Sequence, residues 1–340
     1  HGYTVEIQLL PGRLFPLPAF LPHLAVAEPQ RILRQEICQN VGHLRPGGHG
    51  GEPLVLGKDF FRKAMEFERK YADGKVIHNT IQTNGILLDK EWTDIFRDGN
   101  FLVGISIDGP AEIHDRYRKD RKGEPTLEKV LRGISILQRA GVEFNTMTTI
   151  NNASEGKGVQ VYEFLKSIGS HYMQFMPVVE HLDASGKIID PAAGESALAP
   201  WSVDSLAYGQ YLCDIFDHWV RNDVGLYFVG QFDAALACWC GVPPGICAYS
   251  ETCGGNSVIE HNGDLYPCDH FVYPEYRVGN ILDTPLKELM MSQQQIRFGI
   301  SKRNGLPAEC IRCRWFFACH GECPKHRFAS TETGETGLSC

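Results

Sequence analysis

Between residues 57 and 177 the apolar positions switch repeatedly between a period near 3.6 and one near 2, with Gly, Pro, Asn and Asp at the changes. Helical spacing covers residues 58–71, where Phe60, Ala64, Phe67 and Tyr71 share a face, and residues 90–97 and 160–168. The clearest helix spans residues 126–140: Leu127, Val130, Leu131, Ile134 and Leu137 form one stripe that opens behind Pro125 and stops at Gly141. Short apolar runs bounded by turn residues predict strands at 77–83, 101–107, 142–150 and 172–177. Strand and helix in alternation imply an α/β fold with a parallel sheet, either doubly wound or a partial (β/α)6-type barrel. Both arrangements put functional side chains at the C-terminal ends of strands. Here those ends read 82–85, 106–110, 149–151 and 174–177, all polar or rich in Gly and Pro, although ordinary turns use the same residues.

Beyond this run, residues 180–200 form a polar connection, and helical spacing returns over 204–221 with Leu206, Tyr208, Leu212, Ile215, Phe216 and Trp219. After Gly241 the composition becomes rich in Cys and Gly. The expected organisation is a βα domain over 49–240 and a cysteine-rich domain over 241–340. Residues 1–48 carry prolines and histidines without a clear period, apart from a short helical stretch at 29–39. We read them as an atypical N-terminal segment, not the authentic start of the βα domain.

Composition narrows the function classes. With 340 residues, 43% of them hydrophobic and 22% charged, the chain can bury a substantial core. A net charge of −8 argues against a general binder of nucleic acid or anionic membrane. No apolar run approaches the ~20 residues of a membrane span, and no secretory signal is present, so the expected location is cytoplasmic.

Of twelve cysteines, eight lie between Cys247 and Cys340. They read Cys247-x5-Cys253-x9-Gly263-x4-Cys268, then Cys310-x2-Cys313-x5-Cys319-x3-Cys323, then Cys340. Without a secretory signal, such spacing favours metal ligation over disulfides. Eight thiolates suffice for two four-thiolate sites, and the short x2 and x3 loops let neighbouring sulfurs converge. Structural zinc is the plainer alternative, but the x5 and x3 steps fit zinc ribbons poorly. In two-cluster ferredoxin runs the last Cys of a close group ligates the other cluster. By that logic one cluster takes Cys247, Cys253, Cys268 and Cys323, and the other takes Cys310, Cys313, Cys319 and Cys340. Cys213 reads as a small core residue, and the x1 spacing of Cys238 and Cys240 is rare for ligands.

The C-x9-G-x4-C and C-x2-C-x5-C-x3-C arrangement resembles the SPASM extension of radical S-adenosylmethionine (SAM) enzymes. More narrowly, GGEP at 50–53, QTNG at 82–85, GISIDGP at 104–110, HDRYR at 114–118, QFMPVVE at 174–180, SETCGG at 250–255 and CDHFVYPEYRVGNI at 268–281 resemble the anaerobic sulfatase-maturating enzymes. The resemblance runs from about residue 49 to the end.

It implies an oxidoreductase that converts a Cys or Ser of an unfolded sulfatase, or of a sulfatase-derived peptide, to formylglycine. It further implies SAM, [4Fe-4S] clusters and an electron donor such as a flavodoxin or ferredoxin. Gly50, Gly51, Glu52 and Pro53 would receive the methionine part of SAM, Ser106 and Arg118 the rest of the cofactor, and Val179 would pack near the adenine. Asp269, directly after Cys268, would act as general base. Taken singly, each has a plainer role: a turn, a strand-end cap, an ion pair of Arg118 with Asp115 or Asp120, and a backbone hydrogen bond to Asp269. The family's C-x3-C-x2-C loop, which holds the SAM-cleaving cluster, is absent, since Cys38 is the one cysteine before residue 200. The alternatives are a SPASM peptide maturase of another specificity and a non-catalytic iron–sulfur protein that carries electrons or binds peptide.

Overall fold

The computed structural model describes residues 5–6, 51–74, 77–190 and 196–338. Cys38, Gly50, Cys340 and the helical stretch at 29–39 lie outside them. The chain forms two compact units, a βα unit of residues 52–187 and 196–233 and a cysteine-rich unit that includes 188–195 and 234–340.

In the βα unit, α1 (Lys58–Tyr71), β1 (Asn79–Thr83), α2 (Lys90–Asp98) and β2 (Phe101–Ser106) come first. Next are α3 (Ala111–Tyr117), α4 (Leu127–Arg139), β3 (Phe144–Ile150), α5 (Gly158–Ser167) and β4 (Tyr172–Pro177). The unit finishes with α6 (Ser205–Asn222) and β5 (Phe228–Val229), and α7 (Gly230–Trp239) begins in it. The five strands pair in parallel and in chain order, with Ile81 opposite Val103, Val103 opposite Phe144, Thr146 opposite Met173 and Tyr172 opposite Phe228. A doubly wound sheet would reverse its order part-way. The unbroken order is that of a βα barrel, with five strands among the described residues rather than six.

Alternation along the strands fixes which face is covered. In β3, Phe144, Thr146, Thr148 and Ile150 are buried while Asn145, Met147 and Thr149 are half-buried. The covered face meets α4, whose stripe of Leu127, Val130, Ile134 and Leu137 is buried as the periodicity predicts. Buried hydroxyls on that face are satisfied, Thr146 Oγ1 by Ser170 Oγ at 2.8 Å and Thr148 Oγ1 by Ile107 O at 2.7 Å. The opposite face carries Gln82, Ser106, Asn145, Thr149 and Gln174 and is only partly covered.

Two helices present a different face from the one expected. α1 buries Phe61 and Met65, with Phe60 only packed against the core. α6 buries Tyr211, Ile215 and Trp219, leaving Leu206 83% exposed and Cys213 exposed rather than in the core. In both, apolar residues occupy more than one face, so periodicity alone did not set the rotation. α3 and the two-residue β5 were not anticipated.

The cysteine-rich unit contains antiparallel β6 (Val258–Ile259), β7 (Asp264–Tyr266) and β8 (Gly279–Asn280), with Val5–Glu6 pairing onto β6. Gly263 turns the β6–β7 hairpin at φ 88°, and a Cβ there would lie 2.8 Å from Asn280 Oδ1. This left-handed, crowded position explains the glycine of the C-x9-G-x4-C spacing. The longest helix of the unit, α8 (Gln293–Asn304), ends at Gly305. No helix among the described residues is long and apolar enough to cross a membrane.

Candidate functional site

At the C-terminal ends of β2, β3 and β4, a cavity of about 390 Å³ is lined by Asp108, Tyr117, Arg118, Thr149, Asn151, Val178 and Trp201. Its floor is an ion pair. Arg118 donates through Nε (2.5 Å) and Nη2 (2.9 Å) to the two carboxylate oxygens of Asp108, which is 1% exposed. Asp108 Oδ1 also accepts from Thr149 N at 2.9 Å and Thr149 Oγ1 at 2.8 Å, tying β2 to β3. Bidentate, charge-assisted pairing of this kind fixes the guanidinium plane. Asp115 and Asp120 are engaged elsewhere: Asp115 accepts from Thr126 N and Leu127 N at the start of α4, and Asp120 pairs with Lys129.

A second layer holds this pair. His114, fully buried, accepts from Asp108 N on Nδ1 (3.2 Å), so its Nε2 carries the proton and donates to Thr126 Oγ1 (3.1 Å), which donates to Arg118 O (2.7 Å). Burial lowers the His114 pKa to about 4, so the ring is neutral at pH 7. Asp108 and His114 lie in the GISIDGP and HDRYR stretches quoted above, but the sequence reading gives neither a role.

Of the expected cofactor residues among those described, Arg118 alone lines this cavity; the others are placed as follows. Glu52 caps the short turn Pro53–Leu56: its Oε1 accepts from Leu54 N (3.1 Å) and Thr83 Oγ1 (2.6 Å), and Oε2 from Asn84 N (2.8 Å). Its carboxylate thus pins the Gly51–Pro53 turn to the end of β1, and burial pushes its pKa up. Ser106 Oγ accepts from Gln82 Nε2 at 2.9 Å. Gln82 crosses Gly104, where a Cβ would come within 2.0 Å of Gln82 Oε1, so only glycine leaves room. Val178 lines the cavity and Val179 follows it.

In the cysteine-rich unit the thiols fall into two neighbourhoods. Burial raises the pKa of Cys253 to about 11 and pushes Cys268 and Cys323 well up. Cys247 acts on both Cys253 and Cys323, and Cys323 acts on Cys268. Cys313 and Cys319 act on Cys310, and Cys313 acts on Cys319. Several of these sulfurs receive an amide from two residues on: His270 N–H toward Cys268, Lys325 N–H toward Cys323, Gly321 N–H toward Cys319 and Trp315 N–H to Cys313 at 3.4 Å. The Cys319–Cys323 turn achieves this with three successive left-handed residues, His320 (φ 48°), Gly321 (φ 73°) and Glu322 (φ 56°). Amides aimed at sulfur and thiols crowded in pairs suit thiolates that a metal centre has deprotonated. Neutral thiols gain little from them. The donor set therefore fits iron–sulfur clusters. Cys238 is half-buried and Cys213 and Cys240 are exposed.

Asp269 follows Cys268 at the start of a short turn, and the Cys268 thiol donates to its Oδ1 at 3.1 Å. His270 Nε2 lies 4.0 Å from the other carboxylate oxygen.

Comparison with known proteins agrees with this chemistry. A family model described as the radical SAM superfamily matches residues 22–165, and one described as an iron–sulfur cluster-binding domain matches 247–314. A serine-type anaerobic sulfatase-maturating enzyme of Bacteroides thetaiotaomicron is 48% identical over 295 residues, covering 86% of this chain and 71% of that protein. The chain belongs to the anaerobic sulfatase-maturating enzymes, radical SAM oxidoreductases. A cysteine-type member from Clostridium perfringens is 32% identical over 312 residues, covering 87% of this chain and 80% of its own. A solved structure described as native anSMEcpe with bound AdoMet and Cp18Cys peptide superposes with a TM-score of 0.76 at 29% identity, over 91% of this chain and 84% of that one. Among the 340 residues Cys38 is the one cysteine before Cys213, and a single thiolate does not hold a SAM-cleaving cluster, which needs three.

Proposed function

We propose that the site is built to oxidise a Cys or Ser of a sulfatase-derived peptide to formylglycine. On this reading SAM occupies the cavity beside Arg118, and two [4Fe-4S] clusters sit on Cys247, Cys253, Cys268 and Cys323 and on Cys310, Cys313, Cys319 and Cys340. The observation that carries the reading is a carboxylate, Asp269, in direct contact with a ligand thiol, Cys268, at 3.1 Å. Such an oxidation removes a hydrogen atom, a proton and an electron from the substrate side chain. Asp269 is placed to take the proton. Ligation of Cys268 removes the S–H that now points at Oδ1, leaving that oxygen able to accept from substrate. A bound cluster would supply a one-electron acceptor next to it. Arg118 offers a fixed cation for the SAM carboxylate, held in plane by Asp108, in a cavity of small-ligand size.

The hydrogen-atom step has no agent among these residues, because the thiolates for a SAM-cleaving cluster are not among the 340. The proposal therefore includes that this polypeptide by itself binds peptide and carries electrons, from or to a flavodoxin- or ferredoxin-type partner, without cleaving SAM. Anaerobic reconstitution with an iron count, followed by incubation with SAM, a reductant and a peptide carrying a C/S-x-P/A-x-R motif, tests it. About eight irons per chain and no 5′-deoxyadenosine are expected. About twelve irons with formylglycine detected by mass spectrometry would overturn the silent reading. A thioether or other crosslink in the peptide would instead indicate another peptide maturase. Asp269→Asn is expected to keep the iron count; with a SAM-cleaving cluster supplied, it loses product.

A further inference from the structure

Helix α8 carries a lysine where a charged residue is not expected. Lys302 is 0% exposed, and its Nζ donates to Cys247 O and Ala248 O, each at 2.7 Å. α8 is drawn tight against the ligand loop at this point: Cys253 N donates to Gly299 O at 3.0 Å, and a Cβ on Gly299 would lie 2.7 Å from Cys253 O. Lys302 is thus positioned by backbone, one turn along from a close contact that only glycine permits. Two carbonyl dipoles do not neutralise a buried ammonium, which is strongly unfavourable without a counter-charge. Burial lowers its pKa, and the groups that oppose this, in their thiolate form, are Cys253, Cys247 and Cys323. The two backbone bonds place Lys302 on the Cys247–Cys253 loop, which belongs to one of the two proposed ligand sets. Arg327 acts on Cys253, Cys323 and Cys310 alike, and four carbonyls, of Lys302, His320, Gly321 and Glu322, occupy its guanidinium.

We propose that Lys302 is the fixed counter-charge of the cluster on Cys247, Cys253, Cys268 and Cys323, and that it raises the reduction potential of that cluster above its neighbour's. This rests on the cluster assignment proposed above. A four-thiolate [4Fe-4S] centre is an anion in its oxidised form and gains one more negative charge on reduction. A cation held in a water-poor interior therefore stabilises the reduced form more than the oxidised one. With a SAM-cleaving cluster supplied, the one electron lost by a substrate would go preferentially to a cluster held next to Asp269, the group placed to take the proton. Lys302 is in this sense a positioning residue for charge, touching neither peptide nor cofactor carboxylate.

The test uses the full chain, reconstituted anaerobically with iron and sulfide, and titrates both cluster potentials by electron paramagnetic resonance without SAM. Lys302→Gln keeps donors for the two carbonyls and removes the charge; Lys302→Arg keeps the charge. The Gln variant is expected to retain its iron while one midpoint moves to more negative potential and the other stays. The Arg variant is expected to restore that midpoint. Both midpoints unmoved in Lys302→Gln, or moved together, would overturn the proposal, as would an Arg variant that behaves like Gln. If Lys302→Gln fails to hold iron while Lys302→Arg holds it, the charge is required and the proposal stands. Loss of iron from both variants means packing, not charge, and sinks it. Failure of the cluster assignment shows separately, as zinc or about four irons in the wild-type chain, and removes this inference with it.

Discussion

The two units solve the problem of an interior in opposite ways. In the βα unit, side chains such as Val103, Ile105, Leu137, Leu165, Met173 and Phe175 are at most 1% exposed, and buried polar groups such as Asp108 and Thr146 find partners in Arg118 and Ser170. In the cysteine-rich unit the apolar cluster is Ile259, Leu265, Ile281 and Leu289, and around it are buried Gln295, Lys302, His326 and Thr331 together with thiols that burial holds protonated. Apolar burial alone accounts for the first interior. The second holds two cations, Lys302 and Arg327, on backbone carbonyls, and amides turned toward sulfurs that carry no charge until metal binds, so its interior is complete only with the clusters in place.

Removing iron breaks this comparison most directly. With iron chelated, amide hydrogen exchange is expected to become fast across residues 247–328 while β1 to β4 remain protected, because only one interior loses its counter-charges. Uniform loss, or uniform retention, would show that the units do not differ in this way. Metal loading also displaces protons from Cys253, whose pKa lies near 11, and from Cys268 and Cys323, so iron retention is expected to weaken as pH falls.

The core itself gives the next largest effect. Leu137→Ala removes a side chain with 0% exposure from the seam between α4 and the sheet, and the cavity costs roughly 2–5 kcal/mol. Urea unfolding followed in the βα unit should show that loss with and without iron alike. A loss that depended on iron would tie the two interiors together.

How far these features could be read from sequence divides along the same line. The stripe of α4, its stop at Gly141 and strands β1 to β4 follow from period and turn chemistry, which act locally. The burial of Phe61 and Tyr211 in place of Phe60 and Leu212 depends on which of two apolar faces the sheet meets, a long-range fact. Cysteine spacing points to metal ligands, but not to which neighbours compensate their charge. Lys302 stands in a helix with no apolar period, and nothing near it in sequence marks it as buried. Asp108 and His114 likewise look like a strand-end turn until the fold brings Thr149 and Thr126 to them.

A smaller effect separates binding from folding inside the βα unit. Arg118→Met removes a charge-assisted donor whose plane Asp108 sets, and such bonds are worth about 1.5–3 kcal/mol. S-adenosylhomocysteine, measured by calorimetry on the reconstituted chain, is expected to bind roughly 10- to 100-fold more weakly. The iron count should not change, since no cluster ligand is involved. Unchanged affinity would remove Arg118 from the cofactor site.

The smallest effect is a pH dependence. His114 has its pKa lowered from 6.5 to about 4 in the folded chain, first by burial and then by the Arg118 charge, with Asp108 opposing. As pH falls, the unfolded chain takes up this proton before the folded one, so stability decreases below about pH 6.5 and the full loss is reached below about pH 4. Between pH 7 and 5.5 the expected loss is about 1 kcal/mol, read from the urea midpoint of the βα unit. Protonation also replaces the acceptor on Nδ1 by a donor facing Asp108 N–H, loosening the segment that carries Asp108 and Arg118. His114→Gln keeps a neutral side chain there and should flatten this part of the pH profile while lowering stability at pH 7. If the wild-type midpoint stays level down to pH 5.5, the ring is not the buried neutral acceptor that holds Asp108. The cation at the cavity would then be fixed by the carboxylate alone.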